Sequence, residues 1–94
     1  MTLKVKFIGS FRGVSGRSGL ALDLEESVSV RNLIDQIIDQ LPKAKGVLTD
    51  VVSGRPRTNM LVIVNGREIS VLDGMETIVH DDDEVVFVPV THGG

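Results

Sequence analysis

The sequence predicts an α+β fold in which one main helix packs on one face of a mixed sheet of about five strands. Two observations support this prediction. Strand-like and helical patterns follow one another in the order strand, strand, helix, strand, strand, strand. The helical pattern carries a single apolar stripe, and a sheet face is the partner that such a stripe needs.

The first two strands are indicated by alternation. Leu3, Val5 and Phe7 alternate with lysines, which is the period of two typical of a half-buried strand. The same alternation returns over residues 20–24. The intervening residues 9–19 are rich in glycine and serine, and we expect them to form a mobile hairpin loop.

The main helix is expected where apolar side chains recur at helical spacing. These side chains are Val30, Leu33, Ile34, Ile37, Ile38 and Leu41. Ser29 precedes the stripe, and its hydroxyl is expected to cap the first turn. Pro42 is expected to end the helix, because its ring pushes the preceding residue away from helical geometry.

The second half of the chain is predicted to supply the remaining strands. Residues 60–64 are continuously apolar, which indicates a strand buried on both faces or nearly so. Asn65-Gly66 is a hairpin signal. Residues 84–90 form the last strand, which is apolar on both faces. Residues 43–59 could hold a short second helix or a turn, followed by exposed loop.

Composition excludes several classes of function. The chain has 94 residues, which suits one domain with a modest core and little room for a catalytic cleft. Its net charge of −3 argues against nucleic-acid binding. It has no cysteine, so disulfides, thiol nucleophiles and iron–sulfur ligation are excluded. The sequence shows neither a signal peptide nor a membrane-spanning stretch, and we expect a cytoplasmic protein.

The candidate residues for catalysis and metal binding do not have the spacing that the known motifs require. Residues 13–19 are rich in glycine, but they lack the lysine of a phosphate-binding loop and precede a strand. His80 precedes the acidic run 81–84, which lacks the spaced ligands of a calcium loop and is expected to be a solvated turn. We predict no catalytic residue, no metal site and no bound cofactor, and we expect that the chain is not an enzyme.

The later strands carry more apolar side chains than one helix can cover. Both faces of the last strand are apolar, and residues 60–64 show the same surplus. An uncovered apolar face is typical of a protein-binding site. The predicted partner-binding patch consists of Leu61, Ile63, Phe87, Val88 and Pro89. The alternative is that residues 43–59 fold over this face.

The sequence ends on Gly93-Gly94. We expect residues 1–89 to form the folded domain and residues 90–94 to form a flexible tail, which would reach about 17 Å when extended. Because glycine lacks a Cβ, such a tail can thread a narrow channel in another protein. The group presented there is a carboxylate, which becomes a good acyl donor only as a mixed anhydride.

The chain resembles the ubiquitin-like β-grasp sulfur carriers in its succession of elements and in its ending, D-D-D-E-V-V-F-V-P-V-T-H-G-G. Three further motifs support the resemblance: K-V-K-F-I-G-S-F-R, S-V-S-V-R-N-L-I and L-V-I-V-N-G. That family includes the molybdopterin synthase small subunit, the ubiquitin-related modifiers and the archaeal small modifier proteins. Asp82 and Val88 stand where the family often has glycine and proline, and the ending T-H-G-G is similar to that of the ubiquitin-related modifiers.

The resemblance implies that the tail is a substrate. A ubiquitin-activating-type enzyme would adenylate Gly94 with ATP and Mg²⁺, and sulfur would then convert it to a thiocarboxylate. The sulfur would pass to a molybdopterin precursor, with the synthase large subunit as partner, or to tRNA through a thiolation enzyme. Alternatively, the activated tail would be joined to lysines of target proteins. Gly93 would keep the tail narrow, because it has no side chain. Thr91 and His92 would line the partner's channel.

A second hypothesis comes from the surplus apolar face. The chain would then be a non-covalent β-grasp interaction domain whose terminal glycines are dispensable. Under this hypothesis Phe87→Asp abolishes partner binding, whereas loss of Gly93 and Gly94 does not. The sequence does not choose between sulfur transfer and protein conjugation within the first hypothesis, because both use the same tail.

Overall fold

A computed structural model of the protein describes residues 1–14 and 19–90. The strands in these residues are β1 (Thr2–Phe7), β2 (Gly19–Asp23), β3 (Val28–Ser29), β4 (Met60–Val64), β5 (Arg67–Glu68), β6 (Ile78–Val79) and β7 (Glu84–Pro89). The α-helices are α1 (Val30–Gln40) and α2 (Lys45–Leu48). Short 3₁₀ helices span Gly9–Val14, Pro42–Ala44, Ile69–Val71 and Gly74–Glu76.

The main sheet has five strands in the order β2-β1-β7-β4-β5. β1 pairs with β7 in parallel, and the other neighbours in this sheet pair antiparallel. β3 and β6 form a separate two-stranded ladder. The mixed five-stranded sheet with one main helix confirms the predicted α+β class.

Helix α1 closes one face of the sheet with its apolar stripe. The buried side chains of α1 are Val30, Leu33, Ile34 and Ile37. As predicted, Ser29 is the N-cap: its Oγ accepts a hydrogen bond from the backbone N–H of Asn32 at 3.1 Å. The helix ends at Gln40, because Leu41 takes φ −132° and ψ 84° ahead of Pro42.

The turn between β4 and β5 forms as its sequence predicts. Asn65 and Gly66 both have positive φ, at 50° and 84°, which suits a two-residue hairpin turn. The prediction that β4 is buried on both faces or nearly so holds for only one of its faces. Its alternate side chains are buried, but Leu61 is 38% exposed, because only one face of the sheet meets α1.

The core between α1 and the sheet contains a pair of stacked rings. Phe7 of β1 lies opposite Phe87 of β7, and the two ring centroids are 5.8 Å apart. Both side chains have 0% exposure. The prediction that Phe87 belongs to an exposed partner-binding patch is therefore wrong: the parallel register turns Phe87 toward the same buried face as Phe7.

The first part of residues 43–59 packs into the core, and its later part forms an exposed loop; the outer face of the sheet, which is the face opposite α1, keeps Leu61 exposed. Ala44 and Leu48 are fully buried within the core. Thr49 and Pro56 then form an isolated antiparallel bridge that closes a loop. The short second helix that was one of the predicted alternatives is present as α2.

The segment after β1 differs from the predicted loop. Gly9–Val14 is a 3₁₀ helix, because Phe11 in its centre is buried at 2% exposure. The guanidinium carbon of Arg57 lies 5.9 Å from the centroid of the Phe11 ring, a distance suited to a cation–π contact. The rest of the predicted mobile loop, residues 15–18, lies outside the described residues.

Candidate functional site

The outer face of the sheet presents an apolar patch on its central strands. Leu61 of β4 lies opposite Val88 of β7, and Ile63 lies opposite Val86. Opposite residues of an antiparallel pair project from the same face, so these four side chains form one surface, which we call the outer patch. Leu61 is exposed and the other three are half-buried. Their contact with water is unfavourable, and an apolar partner would remove it.

Charged residues border the outer patch. Lys6 of β1 lies beside Val86 in the parallel register, and its Nζ is 2.9 Å from Oε2 of Glu84. Glu68 of β5 lies beside Ile63 on the opposite flank. The Lys6–Glu84 pair is exposed, with side-chain exposures of 51% and 39%, so it contributes little to stability. An apolar centre with a charged rim is the usual anatomy of a protein interface.

The structure divides the predicted partner-binding patch. Leu61, Ile63 and Val88 lie on the outer face, where their role in binding stays a prediction. Phe87 does not belong there. Pro89 is half-buried and packs at the end of the sheet, since a Cβ added to Gly9 would lie 3.4 Å from the Pro89 Cγ.

Two further outer-face residues lie beside the predicted partner-binding patch. Val86 completes the outer patch by its pairing with Ile63. Ile8 follows the exposed Lys4 and Lys6 in alternation and is 42% exposed. The signal for Ile8 was present, because the period of two that predicts β1 continues to this residue. Val86 follows from the same alternation, because it stands two residues before Val88 and therefore lies on the same face of β7.

The root of the tail is held at the end of the sheet. The backbone N–H of Val90 donates a 3.0 Å hydrogen bond to the carbonyl oxygen of Asn59, which extends the pairing of Met60 with Pro89. Val90 is the last described residue. The predicted tail residues Thr91, His92, Gly93 and Gly94 lie outside the described residues.

The acidic turn before β7 uses its carboxylates to fix the backbone. Oδ1 of Asp81 accepts a 2.7 Å hydrogen bond from the N–H of Thr2, and Oδ2 of Asp83 accepts one of 2.7 Å from the N–H of His80. The His80 Nδ1 lies 3.2 Å from the hydroxyl of Ser27. Among residues 1–14 and 19–90, no group of three or more histidine, aspartate or glutamate side chains is arranged to hold a metal ion.

The family of the chain follows from its similarity to the model of a known protein family. The model of the ThiS family matches residues 5–94. The chain belongs to the ThiS family. Small archaeal modifier protein 3 of Haloferax volcanii is 30% identical over 94 residues, which cover the whole of both chains. Ubiquitin-related modifier 1 of Schizosaccharomyces pombe is 29% identical over 97 residues, again covering both chains completely.

A solved structure agrees with this assignment. Small archaeal modifier protein 1 of Methanosarcina acetivorans superposes with a TM-score of 0.82 and 26% identity, covering 99% of this chain and 96% of the other. The β-grasp fold implied by the sequence resemblance is therefore confirmed. This ThiS-family chain is a sulfur-carrier or modifier-type protein and not an enzyme. Within the described ranges, no helix has both the length and the apolar character needed to cross a bilayer.

Proposed function

We propose that the carboxylate of Gly94 is the functional group of this protein and that a ubiquitin-activating-type enzyme adenylates it. The observation that carries the proposal is the extent of the family match, which runs through Gly94. The alignment with small archaeal modifier protein 3 likewise covers the whole of both chains. In this proposal residues 1–89 are the body that partners bind, and residues 90–94 are the tail that reaches the reactive centre.

The chemistry follows from the weakness of a carboxylate as an acyl donor. A carboxylate oxygen of Gly94 attacks the α-phosphorus of ATP, supplied with Mg²⁺ by the partner enzyme, and pyrophosphate leaves. Hydrosulfide then attacks the Gly94 carbonyl carbon, AMP leaves with the bonding electrons of its phosphate–acyl bond, and loss of the sulfur-bound proton to water gives the thiocarboxylate. If a lysine amine attacks instead, the product is an isopeptide bond. The chain supplies the acyl group, and its partners supply the catalysis.

The tail sequence suits a narrow channel. Gly93 and Gly94 carry no side chain, so their backbone can approach a channel wall closely. Thr91 and His92 are the last residues with side chains, and we propose that they contact the channel walls. The reaction takes place in the cytoplasm under this proposal. The later partners are a molybdopterin synthase large subunit, a tRNA thiolation enzyme or the lysines of target proteins.

Intact-mass spectrometry tests the proposal directly. The protein is purified from its native cells and then incubated with ATP, sulfide and the activating enzyme of the same organism. We expect a mass gain equal to the exchange of one oxygen for sulfur, located at Gly94 by fragmentation. Lysine-linked Gly94 on other proteins of these cells would add the modifier role. An unchanged C-terminus in both assays would contradict the proposal and favour the alternative, a non-covalent interaction domain.

The outer patch is expected to bind the activating enzyme, and Leu61→Ser tests this. Leu61 is 38% exposed, so its loss should weaken binding by about tenfold, or about 1.4 kcal/mol, while the melting temperature changes little. Titration calorimetry measures the first quantity and thermal unfolding the second. Ile78→Ser is the matched control, because Ile78 is 48% exposed but lies in the separate β3–β6 ladder. Equal affinities of both variants would remove the outer patch from the interface.

A further inference from the structure

A short loop at the tail end of the molecule has a well-defined backbone. We call residues 50–55 the valine loop; the bridge between Thr49 and Pro56 closes it. The N–H of Asp50 donates to the carbonyl oxygen of Arg55 at 2.8 Å, and the N–H of Gly54 donates to the carbonyl oxygen of Asp50 at 2.8 Å. Gly54 has φ 72°, a conformation that glycine adopts without strain.

The side chain of Asp50 strengthens this geometry from inside the loop. Its Oδ1 accepts hydrogen bonds from the N–H groups of Val52 at 2.8 Å and Ser53 at 3.0 Å. The hydrogen bonds from Ser53 and Val52 hold the pKa of Asp50 below its ordinary value, because they stabilise the charged carboxylate. The loop is therefore shaped by polar contacts and not by the packing of its valines.

The valines of this loop project into water. Val51 is 85% exposed and Val52 is 93% exposed, more than any other large hydrophobic side chain in the described part of the chain. They contribute almost nothing to the core. A rigid hydrogen-bonded loop that presents two adjacent apolar side chains is suited to enter a pocket on another protein, since little ordering of its backbone remains to be done on binding.

The valine loop is joined to the root of the tail by Arg57. The backbone N–H of Arg57 donates to the carbonyl oxygen of Leu48 at 3.0 Å, and its Nε donates to Oδ1 of Asn59 at 2.8 Å. The carbonyl oxygen of Asn59 in turn accepts from Val90. By chain length alone, Arg55 lies within about 13 Å of Asn59, so the loop base and the tail root share one end of the molecule.

The short length of the tail limits which protein can contact the valine loop. From Val90 the chain to Gly94 extends no more than about 13 Å, which is four residues at about 3.3 Å each. An enzyme that encloses Gly94 in its active site must therefore bring its surface close to Val90 and to the elements around it. The cationic side chains of Arg55, at the end of the loop, and Lys45, at the start of α2, are exposed. The one carboxylate in the loop, that of Asp50, is occupied by backbone donors. The complementary surface is apolar with an acidic rim.

We propose that the valine loop is a second docking element for the adenylating enzyme that takes the tail. Val51 and Val52 insert into an apolar pocket beside the mouth of the tail channel, and carboxylates of the enzyme face Arg55 and Lys45. This inference rests on the proposed function, because it takes the enzyme that activates Gly94 as the occupant. It adds to the outer patch a contact that is specific to the loop between α2 and β4.

ATP–pyrophosphate exchange with the purified adenylating enzyme of the same organism tests this inference. The double variant Val51→Ser/Val52→Ser should raise the KM for the full-length protein by about tenfold and leave kcat unchanged, because the tail is intact. Its melting temperature should match that of the wild type. Val71→Ser is the control: Val71 is 74% exposed but lies outside the valine loop, in the 3₁₀ helix Ile69–Val71 that follows the edge strand β5, and the KM of this variant should not change.

Each outcome of the exchange assay has a separate meaning. If the wild type is not adenylated, the proposed function fails and this inference fails with it. If the wild type is adenylated and the double variant keeps its KM, only the docking role is overturned. Sedimentation velocity tests the other possible occupant of the pocket-binding valines, which is a second copy of the chain. Self-association of the wild type that the double variant abolishes, with KM unchanged, would assign the valines to a second copy of the chain and overturn the proposal.

Discussion

Deletion of Gly94 is expected to lower the rate of adenylation by at least about 100-fold. The new terminal carboxylate, on Gly93, would fall short of the reactive position by about 3.3 Å. Misplacement of a reacting group by about 1 Å is already enough for an effect of that size. Stability should not change, because β7 ends at Pro89 and the last described backbone contact is that of Val90 with Asn59.

The same deletion separates the carrier hypothesis from the binding-domain hypothesis. Exchange of pyrophosphate into ATP measures adenylation, and competition against the wild-type protein measures binding to the same enzyme. We expect the shortened chain to remain a competitive inhibitor, because the outer patch and the valine loop are intact. Thermal unfolding serves as the control for folding. Normal adenylation of the shortened chain would contradict a role for Gly94 as the acyl donor.

The elements that could be predicted from the sequence are those with a local physical cause. The stripe of α1 follows from helical spacing, its start from the hydroxyl of Ser29, and its end from the ring of Pro42. The β4–β5 turn follows from the tolerance of Asn65 and Gly66 for positive φ. Each signal acts within a few residues, so no knowledge of the tertiary structure was required.

The orientation of the later strands had no such local cause. Both faces of β7 are apolar, so alternation alone does not tell which side chains meet the core. The parallel pairing with β1 decides this, since it places Val85 opposite Val5 and Phe87 opposite Phe7. Consequently Phe87 was wrongly assigned to the surface, although alternation alone places Val86 and Val88 together on one face.

The candidate site was predictable to different degrees in its parts. The glycines of the tail and the exposed Leu61 were identified from composition and pattern. The valine loop was not, because Asp50, Ser53 and Gly54 show only that a turn is present. That the turn carries Val51 and Val52 into water beside the tail root depends on the bridge of Thr49 with Pro56 and on the contacts of Arg57.

Replacement of Phe87 is expected to have the largest effect on stability. Phe87 is fully buried and stacks on Phe7, so Phe87→Ala removes a large apolar side chain and leaves a cavity. Such substitutions cost about 3–5 kcal/mol. A domain of this size has a free energy of unfolding of about 5–14 kcal/mol, so the variant should lose about a third or more of its stability and unfold at a clearly lower urea concentration than the wild type. Urea unfolding followed by circular dichroism measures the loss.

Val88 provides the control, because it is the neighbour of Phe87 in β7 but points to the opposite face of the sheet. Val88 is half-buried on the outer face, and Val88→Ala should cost about 1 kcal/mol or less while weakening the contact with the activating enzyme. At a temperature where Phe87→Ala is still folded, its affinity for that enzyme should equal that of the wild type. The opposite pattern, a stable Phe87→Ala protein with impaired binding, would return Phe87 to the interface and contradict the register of β1 and β7.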